Sequence, residues 1–208
     1  METNERNNKA VIAAGAVIVV ACGAVAALAG TGALKPHRAD ATCAPSSADL
    51  PADYAAFCAA LNRSDLPTLL GTPDDRVSTA GPGPFKEQKE TMAEVRLQDT
   101  VVNLSESPVS AWSMGDWTSF GATRVTVLGH PAVTTWGRTM TLFAPGGKSS
   151  QDGPTTRNLV IAKNAKDPGG RAFEITVFRQ DGKNVDDAVV QRVAEAVVPN
   201  LPGWVAAP

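Results

Sequence analysis

An uncharged apolar run near the N-terminus constrains this chain more than any other feature. Residues 10–34 contain no charged side chain and are bracketed by Lys9 and Lys35. As a helix rising about 1.5 Å per residue, the run would extend for roughly 37 Å, which exceeds the ~30 Å hydrocarbon core of a bilayer. A helix that is apolar on every side must also be buried on every side. The run therefore predicts a transmembrane helix, preceded by a short cytoplasmic tail over residues 1–9.

Two other interpretations of the same run stay open, and both involve processing. Residues 19–22 (VVAC) resemble a bacterial lipobox, in which acylation would turn Cys22 into a lipid-carrying N-terminus. Residues 27–29 (ALA) have the A-x-A pattern of small residues that precedes a secretory cleavage site. The chain stays apolar well beyond Cys22, which favours an uncleaved anchor over a lipoprotein or a secreted protein. All three interpretations place the rest of the chain at or outside the cell membrane.

Cysteine usage indicates the side of the membrane on which the rest of the chain lies. Positive charges on the two sides of the run balance, so the positive-inside rule does not decide the orientation. Cys43 and Cys58 form an even pair just beyond the run. In an oxidising compartment they would close a loop of about 15 residues, worth roughly 3 kcal/mol, although two unrelated thiols remain the alternative. We therefore expect a single-pass protein whose C-terminal domain is extracytoplasmic.

The remainder of the chain predicts a tether and one folded domain of the α+β class. Residues 35–48 contain prolines and serines without a hydrophobic period, which is typical of a tether. The domain then spans residues 49–204, and residues 205–208 form a tail. Short helical patterns open the domain, strand-like alternations follow, and an amphipathic helix ends it. This order favours an antiparallel sheet of about six to seven strands, packed by N-terminal short helices and a C-terminal helix.

Some local expectations follow from turn-forming residues. The Pro- and Gly-rich stretch 72–91 is expected to be a long loop. Apolar alternation predicts a strand over 110–114. Two further strand patterns, 132–136 and 139–143, are separated by Gly137 and Arg138, which predicts a hairpin.

A cluster of aromatic residues is the best candidate for a binding site. Trp112, Trp117 and Trp136 are three of the four tryptophans and lie in the middle of the chain. Exposed on a sheet, they would form a stacking surface for a sugar or a peptide, and tryptophan is common at interface hot spots. The alternative is that the three rings pack into the core, because burial of each ring is worth about 2–3 kcal/mol.

Composition argues against several other functions. A net charge of −2 lacks the basic field of a non-specific nucleic-acid binder. The cysteine spacing fits no metal site, and no cofactor motif is present. We assign no catalytic residue, although a hydrolase or transferase using His130 with a carboxylate such as Asp116 is the alternative. A third option is a structural envelope protein whose anchor self-associates through Ala26 and Gly30. The oligomeric state is not predicted.

Two short motifs point to a family. FCAALNR at residues 57–63 and DLPTLLGTP at residues 65–73 precede the strand-rich remainder. In this order the chain, from about Tyr54 to Trp204, resembles a streptomycete-type, actinobacterial family of membrane-anchored extracytoplasmic proteins of unknown function. A looser resemblance is to actinobacterial sensor-like lipoprotein and kinase ectodomains. Neither resemblance implies catalytic residues. We therefore expect a non-catalytic binding domain whose partner is an envelope protein, a peptide or a cell-wall glycan.

Overall fold

A seven-stranded antiparallel sheet is the framework of the molecule. The computed structural model describes residues 41–83, 91–108, 122–139, 141–142, 149–150, 153–167 and 169–208. The strands are β1 (Thr79–Pro82), β2 (Met92–Arg96), β3 (Thr100–Pro108), β4 (Thr123–Val127), β5 (His130–Arg138), β6 (Thr141–Leu142), β7 (Ser149–Ser150), β8 (Thr155–Ala162) and β9 (Arg171–Arg179). Seven of them pair in the order β1-β2-β3-β9-β8-β5-β4, while β6 and β7 form a separate pair.

The α-helices in the described part of the chain are α1 (Tyr54–Leu61), α2 (Leu66–Leu70) and α3 (Asp187–Val197), the last continuing into a 3-10 turn, Val198–Asn200. Helices α1 and α3 pack against the sheet, and α2 packs against α3. Gly71 ends α2 in a left-handed conformation with φ of 80°, which glycine adopts without steric cost. In α1 the buried side chains recur at intervals of three and four residues, so that one stripe of the helix faces the core.

The core lies between these helices and one face of the sheet. The pairing register places Ala93, Leu104, Ile175 and Leu159 side by side on four neighbouring strands. All four side chains are buried in the same cluster as the apolar faces of α1 and α3. Because side chains alternate between the faces of a strand, this register defines a helix-covered face along the whole sheet.

The predicted α+β class and the predicted number of strands in the main sheet are confirmed. Among the described residues, no helix is long and apolar enough to cross a bilayer. The run over residues 10–34 and the strand predicted at 110–114 both lie outside the described residues.

The hairpin predicted at Gly137 and Arg138 is wrong. Strand β5 continues through both residues and pairs with β8, so that Gly137 lies opposite Thr156. A Cβ atom on Gly137 would come within 2.7 Å of the Thr156 hydroxyl oxygen. This glycine therefore allows a close approach between two strands and does not form a turn. The actual hairpin partner of β5 is β4.

The stretch 72–91 is not a continuous loop, because it contains β1. Strand β1 is short and includes Gly81 and Pro82, which are rare in strands and common in turns. It lies at one edge of the main sheet, next to β2. On its other side Cys43 forms a parallel bridge with Ala80.

The predicted tether and the predicted C-terminal tail both contact the folded domain. The Ala41 amide donates a hydrogen bond to the Val77 carbonyl oxygen at 3.2 Å, so the second part of the predicted tether lies along β1. At the other end, the Val205 amide donates to the Lys163 carbonyl oxygen at 3.4 Å. The tether 35–48 and the tail 205–208 are therefore not free over their whole length, because backbone hydrogen bonds hold them to the domain.

Candidate functional site

The candidate site lies on the helix-covered face, where α3 begins above the sheet. The register places Trp136 of β5 next to Arg157 of β8, and Arg157 next to Val177 of β9. Asp187, the first residue of α3, accepts a hydrogen bond from the Nε–H group of Arg157. An aromatic ring, a cation and a carboxylate are thus brought together from two strands and a helix.

Trp136 is half exposed although it lies on the core face of the sheet. Its side chain is 52% accessible, whereas Arg157 beneath it is only 4% accessible. The guanidinium carbon of Arg157 lies 4.4 Å from the centroid of the indole ring, within the range of a cation–π interaction. The indole is therefore held by a buried cation while half of its surface remains open.

Arg157 has two hydrogen-bond partners, one of them a carboxylate. Its Nη2 group donates a hydrogen bond to the Thr134 hydroxyl oxygen at 2.9 Å, and its Nε–H group donates to a carboxylate oxygen of Asp187. Asp187 also lies in the first turn of α3, where the helix dipole favours a negative charge. These contacts restrain the guanidinium and, through it, the ring of Trp136.

The structure describes only one of the three tryptophans in the predicted cluster. Trp136 is exposed, as the binding hypothesis requires, while Trp112 and Trp117 lie outside the described residues. Trp204, which was not a predicted site residue, stacks on His130 with ring centroids 3.8 Å apart. The aromatic site that the structure describes is therefore centred on Trp136 alone.

His130 is buried and has little access to a substrate. Its Nδ1–H group donates to the Ala162 carbonyl oxygen at 2.8 Å, and one ring face is covered by Trp204. Its Nε2 atom is buried and has no hydrogen-bond partner in the described part of the chain. A general base must come within hydrogen-bond reach of its substrate, so this geometry does not favour His130 in that role. Asp116 lies outside the described residues.

A cavity of about 290 Å³ opens beside the first turn of α3. Its walls are formed by apolar side chains of α2, β9 and α3 and by polar groups at the rim: Leu70, Val177, Val185, Val189, Thr100, Arg179, Lys183, Asn184 and Asp186. Val177 lines the cavity and is also the cross-strand neighbour of Arg157. The cavity and the exposed ring of Trp136 therefore share one end of the sheet.

A second cavity, of about 480 Å³, lies between residues 41–42 and the α1–α2 region. Two of its polar side chains have partners within the protein: Asn62 donates to the Ala41 carbonyl oxygen at 2.9 Å, and Arg63 pairs with Asp65. Among the described residues, no group of three or more histidine, cysteine, aspartate or glutamate side chains is placed to hold a metal ion.

The structure contains the disulfide that the sequence predicts. Cys43 and Cys58 are bonded, which ties the N-terminal segment to the buried face of α1. Cys22, the alternative lipidation site, lies outside the described residues.

Comparison with known proteins gives one match. No curated protein and no solved structure matches the chain. The model of a family of unknown function (DUF6215) matches residues 4–119, more than half of the chain. The matched region contains the apolar run and both bonded cysteines, and it ends before Trp136. The expectation of a family of unknown function is confirmed, while its actinobacterial and sensor-like features stay predictions. The chain belongs to the DUF6215 family.

Proposed function

We propose that this protein is a single-pass membrane protein whose extracytoplasmic domain binds a cell-wall glycan, without catalysis, through the surface around Trp136. The observation that carries the proposal is the half-exposed indole held by the buried Arg157. Burial of a tryptophan ring is strongly favourable, so its exposure gives up stabilisation that the fold would otherwise gain. An aromatic ring that is both exposed and restrained is typical of a contact surface.

The surroundings of Trp136 favour a saccharide over a protein. Arg157, which lies against the indole, and the two partners of Arg157, Thr134 and Asp187, are polar or charged. A protein hot spot usually lies in a well-packed, desolvated pocket, whereas the indole of Trp136 is 52% exposed among these polar groups. In the described part of the chain, the other large exposed hydrophobic residues are Leu128 and Val205, which lie at the opposite end of β5 or beyond it. A sugar offers an apolar ring face to the indole and hydroxyl groups to the Asp187 carboxylate.

The membrane and extracytoplasmic parts of the proposal have their own support. The uncharged run over residues 10–34 is long enough to cross a bilayer. The Cys43–Cys58 disulfide is of a kind that persists mainly in oxidising compartments.

A co-sedimentation experiment tests the binding proposal. Full-length protein in detergent is mixed with insoluble cell-wall glycan, and the bound fraction is measured for the wild type, Trp136→Ala and Val205→Ala. Val205 is the matched control, because its side chain is 54% exposed but distant from Trp136. We expect W136A to weaken binding about tenfold or more, as for a hot-spot residue, and V205A to bind like the wild type.

Two results would overturn the glycan proposal. One is a wild-type protein that does not sediment with the glycan. The other is W136A sedimenting as well as the wild type. If, instead, a photo-crosslinker at position 136 captures one envelope protein in intact cells, the predicted protein partner replaces the glycan.

A further inference from the structure

We propose that two copies of this chain dimerise by antiparallel pairing of their β4 strands across a twofold axis, so that the two main sheets join into one. Strand β4 lies at one edge of the main sheet and pairs with β5 on its inner side. Strand β1 lies at the other edge, where Cys43 is bridged to Ala80 on its outer side. In the described part of the chain, no segment pairs with the outer side of β4. The proposal does not depend on glycan binding.

The register of the β4–β5 hairpin shows which backbone groups of β4 point outwards. Its turn has only two residues, between the paired Val127 and His130. In such a hairpin the closing pair is hydrogen-bonded, and bonded and non-bonded pairs then alternate along the strands. Pro131, opposite Thr126, has no N–H group and therefore fits a non-bonded position. The N–H and C=O groups of Arg124 and Thr126 consequently point away from β5, towards the open edge.

The side chains of β4 do little to prevent pairing at this edge. Its sequence is TRVTV, which is rich in β-branched residues that favour a strand. Natural edge strands are usually protected by proline, lysine, a bulge or a covering segment. Strand β4 has no proline or lysine, and it pairs with β5 without a bulge. Its one charged residue is Arg124, whose side chain is exposed, as is that of Thr126.

One antiparallel register matches β4 with a second copy of itself. When Val125 lies opposite Val125 of the second copy, each Arg124 lies opposite Thr126 of the other copy. All the outward-pointing N–H and C=O groups of these two residues are then hydrogen-bonded, in two symmetry-related pairs. A register centred on Arg124 would place two arginines opposite each other, which is destabilising. A register centred on Thr126 would place Arg124 opposite the turn residue Leu128, beyond the end of the strand.

The same register also matches the two faces of the joined sheet. Val125 pairs with the core residue Ala132 and packs against the core on the helix-covered face. In the dimer it would lie beside Val125 of the second copy, so that the apolar faces of the two sheets are continuous. On the other face, each guanidinium of Arg124 would lie beside the hydroxyl of Thr126 and not beside a second cation. A second copy of this chain therefore fits the edge in both its backbone and its side chains.

Disulfide cross-linking of full-length protein in detergent tests the pairing. In a Cys22→Ser background, Val125→Cys places a thiol on the twofold axis. The Cα atoms of a non-bonded antiparallel pair lie about 4.5 Å apart, within the range of a disulfide. Thr123→Cys is the matched control, because it lies on the same face of β4 but about 14 Å from its counterpart. We expect V125C to form a covalent dimer on mild oxidation about tenfold faster than T123C, as measured on non-reducing gels.

A charge exchange tests the register. In the V125C protein, Thr126→Arg would place two arginines opposite each other on both sides of the axis and should slow cross-linking about tenfold. Addition of Arg124→Glu turns both contacts into ion pairs and should restore the rate. Thr79→Arg, at an exposed position of the other edge strand β1, is the matched control and should leave the rate unchanged. Restoration by R124E also shows that T126R does not act by unfolding the domain.

Four outcomes would overturn the proposal: no covalent dimer of V125C, cross-linking of T123C at the same rate, a rate that T126R does not lower, or a rate that R124E does not restore. A dimer held only by the apolar run would not favour V125C over T123C, so it would give one of the first two results. Glycan co-sedimentation of W136A is measured without any of these variants, so the two proposals fail separately.

Discussion

At the scale of single residues, the two members of the ion pair beneath Trp136, Arg157 and Asp187, differ in solvent exposure. Arg157 is buried, whereas the carboxylate of its partner Asp187 is 56% exposed. Loss of Asp187 would leave a buried cation without its counterion. Loss of Arg157 would leave a carboxylate that water can still solvate. The two partners therefore contribute unequally to stability, because the desolvation cost falls mainly on the arginine.

This asymmetry predicts the order of two variants. Asp187→Asn should lower the free energy of unfolding by about 2 kcal/mol, and Arg157→Met by only about 1 kcal/mol, because the methionine buries no charge. Chemical denaturation of both single variants and of the double variant measures the effect. Equal losses, or a double variant at the sum of both, would show that the pair does not act as a buried unit.

Glu106 is a second buried charge, and it links stability to pH. Burial raises the pKa of its carboxyl group, but hydrogen bonds from Lys163, at 2.7 Å, and from Arg171 outweigh this effect. The pKa of Glu106 is therefore held below its ordinary value of 4.5. A carboxyl group whose pKa is lower in the folded than in the unfolded state binds its proton more readily on unfolding.

The resulting prediction concerns acid unfolding. The stabilisation from Glu106 should be fully present above about pH 4.5, the pKa range of an unfolded glutamate, and should be lost as the pH falls towards the lower folded-state value. Glu106→Gln should lower stability at neutral pH by about 2 kcal/mol and flatten the acid limb of a plot of stability against pH. A slope unchanged from that of the wild type below pH 4.5 would contradict this. Some slope should persist, since the pKa values of Asp65 and Asp181 are also lowered by neighbouring arginines.

Residue-scale features differ in how far the sequence predicts them. Trp136 is predictable as a candidate because aromatic residues are few and easily recognised. Its partners are not, because Arg157 and Asp187 are 30 positions apart and meet only when α3 packs over β8. The outward-pointing backbone groups of Arg124 and Thr126 are equally invisible in the sequence, since they depend on which strand pairs with β4.

At the scale of elements, the β4–β5 hairpin has an unusual turn residue. Its two turn positions are Leu128 and Gly129, with φ values of 51° and 79°. Glycine adopts such values readily, whereas a leucine side chain is strained there, and asparagine is the residue that such turns prefer. The Leu128 side chain is also 41% exposed and is not part of the hydrophobic core, so core packing does not offset the strain.

Leu128→Asn should therefore stabilise the protein by about 0.5–1 kcal/mol, through relief of backbone strain at the turn. Thermal unfolding of the variant and of the wild type measures the difference. Leu128→Ala is the control, because it removes the exposed side chain without the preference of asparagine for positive φ. Equal stabilisation by both variants would place the effect in the side chain and not in the backbone.

A helix or strand can be predicted from the sequence when its own residues carry the pattern, and not when it depends on pairing with a distant segment. Strands β2 and β4 alternate apolar and polar residues and are recognisable in the sequence. Strand β1 is not, since its pairing with β2 overrides the turn preference of Gly81 and Pro82. The turn predicted at Gly137 is wrong for a related reason. A glycine is needed at this position because the side chain of Thr156 lies close to it on the neighbouring strand β8. The sequence around Gly137 does not show which strand will be its neighbour.

At the scale of the whole molecule, the disulfide joins the region next to the apolar run to the folded domain. Cys58 is completely buried in α1, and Cys43 packs against the same core. The bond closes a loop between positions 15 apart, so the segment after the run is held to the domain almost where the domain begins. A disulfide of this kind persists mainly in oxidising compartments, which supports the proposal that the domain is extracytoplasmic.

The final prediction separates the three interpretations of the run by their products. Under the single-pass interpretation, the mature protein keeps the peptide that begins at Met1 and stays in the membrane fraction after an alkaline wash. Under the lipoprotein interpretation, the chain begins at an acylated Cys22, so Cys22→Ser would abolish acylation and anchoring. Under the secretory interpretation, the chain begins after Ala29 and is not retained by the membrane.

We expect intact Met1 by mass spectrometry and unchanged membrane retention of C22S, because the apolar run continues for twelve residues beyond Cys22. Membrane-impermeant thiol labelling of C22S in intact cells then tests the orientation. Cys43 should be labelled only after a membrane-impermeant reductant is added, since it is bonded to the buried Cys58. Labelling without a reductant would contradict the disulfide, and no labelling of the reduced protein in intact cells would contradict the extracytoplasmic orientation. A chain that begins at residue 22 or 30 would contradict the transmembrane anchor.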